Sequence, residues 1–100
     1  MKPKATSATA PRRILHMTLK REWFDQIAAG TKKEEYRELK PYWRTRMKGR
    51  EYDEIHFRNG YNADAPRMRV EYRGLRKDSR NDRYVIRLGK VLELKRPRKK

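Results

Sequence analysis

The sequence predicts an α+β domain: a small curled sheet or barrel of about five strands with one or two short helices. Two observations carry this expectation. Stretches that alternate apolar and polar residues recur along the chain, and one early segment breaks that period of two for a helical one. The helical segment falls between the first two strands, whereas the later strands follow one another, which places a helix on one side of the sheet.

The elements follow in chain order. In Arg13–Lys20, Leu15, Met17 and Leu19 alternate with Ile14, His16 and Thr18, as in a half-buried strand. Across Arg21–Ala29 the apolar residues Trp23, Phe24, Ile27 and Ala28 recur at helical spacing, and Gly30 stands where a helix-ending glycine belongs. Lys33–Leu39 reads as the second strand, with Tyr36 facing opposite to Glu35 and Arg37. Pro41, Tyr42, Trp43 and Met47 suit a short helix or ordered turn, closed by Gly49. Asp53–Arg58 is a third strand with Ile55 and Phe57 on one face, ending in the turn Asn59-Gly60, and Asn62–Pro66 continues as loop. Arg67–Arg73 alternates Met68, Val70 and Tyr72 against charged residues. Gly74 to Asp82 is polar and charged and reads as a loop. Tyr84–Leu94 is a long final strand in which Gly89 marks a bulge or sharp bend.

A chain of 100 residues holds one domain. With 35% hydrophobic and 42% charged residues, its core must be thin. Residues 13–94 make the domain, and 1–12 and 95–100 read as disordered basic tails. No apolar run approaches the length that spans a bilayer, and no secretory leader is visible at the start, so the expectation is a cytoplasmic protein. The absence of cysteine excludes disulfides and thiolate–metal sites. Two isolated histidines, His16 and His56, do not make a metal site, and no cofactor is expected. A monomer is presumed.

The net charge of +16 is unevenly spread. Lys2, Lys4, Arg12 and Arg13 at one end and Lys95, Arg96, Arg98, Lys99 and Lys100 at the other contribute nine positive charges, leaving +7 between them. Both ends and middle are thus cationic, and attraction to a polyanion follows. RNA is the expected partner; a membrane surface is disfavoured because no amphipathic basic helix is visible.

One stretch concentrates the chemistry. Gly30-Thr31-Lys32-Lys33-Glu34-Glu35-Tyr36-Arg37 places a glycine, a lysine, a glutamate and an arginine at the helix-to-strand junction. Glu35 and Arg37, two apart on a strand, project from the same face and can pair. Lys32 adds a mobile cation. Together they can bind a phosphate or a base edge, or act as a lysine–carboxylate acid–base pair. The alternative is a solvated surface ion pair contributing about 0–1 kcal/mol.

The pattern Gly-x-Lys-x-x-Glu-x-Arg, in its strand–helix–motif order, resembles the signature of ASCH domains, small barrels of the PUA-like superfamily. The resemblance spans residues 13–94. It implies a cleft between helix and barrel, lined by the motif and suited to RNA or a nucleotide-like ligand. It also offers an alternative: a small hydrolase acting on RNA or a modified nucleoside, of ribonuclease or acetylcytidine amidohydrolase type, with Lys32 and Glu35 as the catalytic pair. The amidohydrolase is thought to use a threonine three residues after the motif lysine, and this chain has Glu35 there. The expected ligand-binding set is therefore Gly30, Lys32, Glu35 and Arg37, joined by Trp43 for base stacking and by Arg58 and Tyr61 from the Asn59-Gly60 turn. Trp43 could equally cover the barrel end, and Arg58 and Tyr61 could be plain turn residues. Arg67, Arg69 and Arg73 share a strand face that could track phosphates, interrupted by Glu71. His56, facing away from the core, reads as an ordinary surface residue, and His16 could border the cleft.

Overall fold

The computed structural model describes residues 12–96. Of the nine cations at the two ends, Arg12, Arg13, Lys95 and Arg96 lie within that range and the other five outside it. The chain runs β1 (Ile14–Thr18), α1 (Arg21–Ala28), β2 (Glu34–Glu38), α2 (Pro41–Met47), β3 (Glu54–Arg58), β4 (Arg67–Asp78), a 3-10 turn (Ser79–Asn81) and β5 (Arg83–Lys95). Five strands form one mixed sheet in the order β1-β3-β4-β5-β2, curled into a half-barrel with two helices. The α+β fold of five strands and two short helices is thus the observed one.

β1 and β3 pair in parallel; every other pairing is antiparallel. The parallel pair needs a crossover, which α1, β2 and α2 supply. The apolar stripes of β1, β3, β4 and β5 turn to one side. Leu15, Met17, Ile55, Phe57, Met68, Val70, Tyr84 and Ile86 form the core there, and α1 covers it with Phe24 and Ile27. Met47 of α2 is 1% exposed and joins the same cluster.

α1 ends where the sequence says it should. Gly30 takes a φ of +83°, and the backbone N–H groups of Thr31 and Lys32 return to the carbonyl of Gln26. No atom crowds the site of a Cβ at Gly30, so the conformation alone calls for glycine. This reversal launches the chain directly into β2.

One segment differs from the sequence reading. Gly74 to Asp78 is strand, not loop: β4 continues to Asp78 and pairs with β5 as far as Arg83. The turn needs only Ser79–Asn81 and Asp82, whose φ is +52°. Here the hairpin is a ribbon in which Leu75 opposite Ile86 supplies the apolar contact, and the charged residues around it hide the alternation. The bend at Gly89 is present. Between Val70↔Val91 and Tyr72↔Leu88 the register slips, and the freed N–H of Lys90 donates to Glu71 Oε1 at 3.0 Å. A Cβ at position 89 would overlap the Glu71 side chain, including its Cβ at 2.8 Å.

Candidate functional site

The site forms at β2, an edge strand of the sheet. Glu35 lies opposite Ile86 and Arg37 opposite Tyr84, so both project to the side of the sheet that carries the core. Glu35 is 5% exposed. The alternative of a solvated surface pair does not hold: this is a buried carboxylate held between two cations. The Arg37 guanidinium donates to Glu35 Oε2, to the backbone oxygen of Tyr36 at 2.7 Å and to the backbone oxygen of Thr18 at 3.1 Å. Lys32 Nζ stands 3.5 Å from Glu35 Oε1.

The bond to Thr18 links the two edges of the sheet. β1 and β2 share no ladder, and Arg37 spans from one to the other with its side chain. A planar guanidinium suits this task because its N–H groups fork toward a carboxylate and a carbonyl at once.

Aromatic rings surround the cations. The Lys32 ammonium lies 5.0 Å from the ring centroid of Trp23 in α1 and 4.8 Å from that of Tyr36. The Arg37 guanidinium lies 5.2 Å from the ring centroid of Trp43 in α2, which is partly buried against the core. Each contact lowers the free energy of a partly desolvated cation. Trp23 remains 37% exposed, which leaves ring area beside Lys32 free for a stacking partner. The Tyr36 hydroxyl donates to Glu34 at 2.9 Å, and this bond pushes its pKa up. The phenol stays protonated and engaged on the opposite face of β2, where Arg83 stacks on it at 4.0 Å.

The structure thus brings together Gly30, Lys32, Glu35, Arg37 and Trp43. Arg58 is the ladder partner of Thr18 but projects from the other face of the sheet, and Tyr61 lies in the loop that follows. Arg58 donates to the backbone oxygens of Gly60 at 2.7 Å and Asn62 at 2.8 Å, so it braces its own loop, and Tyr61 is 82% exposed at the loop tip. The hydroxyl inside the motif is engaged: Thr31 Oγ1 donates to the Gln26 oxygen at 3.2 Å. Trp23, Tyr36 and the Thr18 carbonyl join the site without having been assigned to it from sequence. Trp23 was visible only as a helix residue, although its spacing placed it near the motif.

A second polar cluster escaped sequence reasoning. Glu54, 1% exposed, accepts two bonds from Arg69 at 2.9 and 3.0 Å, pairs with Arg12 at 3.0 Å and bonds His56 Nε2 at 3.0 Å. The Arg69 hydrogen bonds lower the Glu54 pKa to about 2, with His56 and Arg12 adding to the effect against the cost of burial. His56 is therefore half-buried and fixed rather than an ordinary surface residue, and His16 meets it edge to face at 5.5 Å. Among the described residues no group of acids and histidines has the makings of a metal site, and no helix is long and apolar enough to cross a membrane.

No protein-family model, no curated protein and no solved structure matches this chain.

Proposed function

We propose that the chain is an RNA-binding module of the ASCH type, a cytoplasmic monomer that takes a nucleotide at the Lys32–Glu35–Arg37 cluster and the rest of the strand along its basic surface. The carrying observation is the buried Glu35 carboxylate, clamped by two cations that are themselves flanked by Trp23, Tyr36 and Trp43. Burying a carboxylate and half-burying two cations at a sheet edge costs stability unless they are mutually satisfied, and apolar residues could fill that place more simply. Such a cluster is suited to recognition. The Lys32 ammonium has N–H donors to spare for a phosphate oxygen or base carbonyl, and the exposed part of Trp23 offers a stacking face.

General affinity comes from cations without a carboxylate partner among the described residues. Lys33, Arg87 and Lys90, with the Glu34 carboxylate among them, line a groove of about 510 Å³ along β2 and β5, beginning one residue beyond Lys32. A strand leaving the cluster could follow it by phosphate contacts alone.

A hydrolase reading draws on the 3.5 Å approach of Lys32 Nζ to Glu35 Oε1, the geometry of a lysine–carboxylate pair. Arg37 holds the other carboxylate oxygen, and Glu35 replaces the hydroxyl that an acetylcytidine amidohydrolase would need. Binding is therefore the preferred reading. Incubating the protein and Lys32→Ala with single-stranded RNA and with acetylated cytidine separates the two. Retention of RNA without product supports the module, and product that disappears in Lys32→Ala supports the enzyme.

A further inference from the structure

A second groove of about 510 Å³ lies on the other face of the sheet, away from α1, lined among others by His16, Thr18, His56, Arg58, Arg67 and Lys95. The strand registers explain its make-up. Thr18, Arg58, Arg67 and Lys95 are consecutive partners across β1, β3, β4 and β5, and form one row. His16, His56, Arg69 and Glu93 form the row beside it. Neighbouring strands lie about 4.8 Å apart, so the first row sets three cations side by side.

Like charges directly opposite one another destabilise a sheet unless something neutralises them. The acids of this face neutralise the second row and, in the first row, Lys95 alone. Glu54 and Glu93 are both taken by Arg69, the latter at 3.2 Å, and Lys95 reaches Glu93 at 3.4 Å. Arg58 and Arg67 have no carboxylate among the described residues. Both are anchored instead by loop carbonyls, Arg58 by Gly60 and Asn62 and Arg67 by Ala63 at 2.9 Å. Carbonyl anchors fix the two guanidinium groups without cancelling their charge, and leave further N–H donors on each. The walls are equally fixed, because buried Glu54 holds His56 and His56 packs on His16.

We propose that this row is a phosphate site: a phosphate group sits over Arg58, Arg67 and Lys95, with the Thr18 hydroxyl and the His16 and His56 imidazoles beside it. A phosphate supplies the negative charge the row lacks and oxygens enough for two forked guanidinium groups. The site shares Thr18 with the Lys32 cluster, whose Arg37 bonds the Thr18 carbonyl, but it draws its cations from other residues and does not depend on that reading.

The test is an NMR titration of the whole chain with inorganic phosphate, following the Nε–H signals of Arg58 and Arg67 and the imidazole signals of His16 and His56. Saturable shifts at these four residues are expected, with affinity falling at least about ten-fold in the double variant Arg67→Gln/Lys95→Gln, since two charge-assisted contacts go with it. Arg67 and Lys95 are exposed, so the variant should fold, and unchanged backbone spectra check this. Lys32→Ala should leave the shifts intact, which separates failure here from failure of the cleft reading. Repeating the titration with a single-stranded oligoribonucleotide identifies the source: tighter binding than inorganic phosphate assigns the row to a nucleic-acid backbone, equal binding to free phosphate. Shifts that do not saturate, that chloride reproduces at equal ionic strength, or that persist unchanged in the double variant would overturn the proposal.

Discussion

Replacing Glu54 by glutamine removes one carboxylate on which three cationic or imidazole groups converge. In the folded protein its pKa falls from the usual 4.5 to about 2, chiefly through the Arg69 hydrogen bonds. Each pH unit of such a difference corresponds to about 1.4 kcal/mol, so the ionised form contributes about 3 kcal/mol to folding. Because the folded pKa is the depressed one, this contribution is fully present above about pH 4.5 and is lost as pH falls toward about 2. Glu54→Gln is therefore expected to cost about 3 kcal/mol at neutral pH, the cost of stranding the partners of a buried charge. Urea unfolding followed by circular dichroism measures it, with a midpoint lowered by about 2 M if the slope is typical of a domain this size. The acid limb gives a sharper check. A chain of net charge +16 loses stability in acid by self-repulsion in any case, so the test is the difference between the two proteins, which should shrink as pH falls from about 5 to about 2. A variant within about 0.5 kcal/mol of the wild type at pH 7, or a difference that stays constant in acid, would refute the reasoning.

Other expectations follow from the same contacts. Gly89→Ala forces a Cβ into the Glu71 side chain at the bulge and should cost about 1–3 kcal/mol, seen as a lowered thermal midpoint; an unchanged midpoint would mean the bulge relaxes freely. Arg37→Lys keeps the charge but cannot fork between Glu35 and the Thr18 carbonyl. Amide exchange at the β1 and β2 edges should accelerate about ten-fold, for a local loss near 1.4 kcal/mol, while the β4–β5 hairpin stays protected. Trp23→Ala should weaken RNA binding with little change in its salt dependence, because stacking carries no counterion release. An altered salt slope in that variant would count against a stacking role.

The elements legible in the sequence are those whose periodicity is driven by burial. Leu15 and Met17 announced β1, Trp23 to Ala28 announced α1 and its glycine stop, and Gly89 announced the bulge. The far end of β4 was not legible, since Arg76, Lys77 and Asp78 pair with β5 in a ribbon with too little apolar surface to write a pattern. The motif was readable as a local cluster, but its burial was not. Alternation alone favours Tyr36 as the inward residue of β2, whereas the register turns Glu35 and Arg37 toward Ile86 and Tyr84. The Glu54 and His56 cluster was hidden for a different reason. It depends on β1 lying parallel to β3 in a register that puts His16 beside His56, a pairing across 40 residues that no local pattern encodes. A Glu-x-His on one strand face was the only local trace.

The central claim is that Lys32, seated between two rings and beside a buried carboxylate, takes hold of RNA. The most direct test is the affinity of wild type and Lys32→Ala for a single-stranded oligoribonucleotide across a salt series, read by fluorescence anisotropy. Wild-type affinity should fall steeply with salt, by about 0.7 logarithmic units per neutralised phosphate for each decade. Lys32→Ala should bind at least about ten-fold more weakly at fixed salt, with a slope shallower by about one phosphate contact. Equal affinity in the two proteins, or wild-type binding indifferent to salt, would contradict the account.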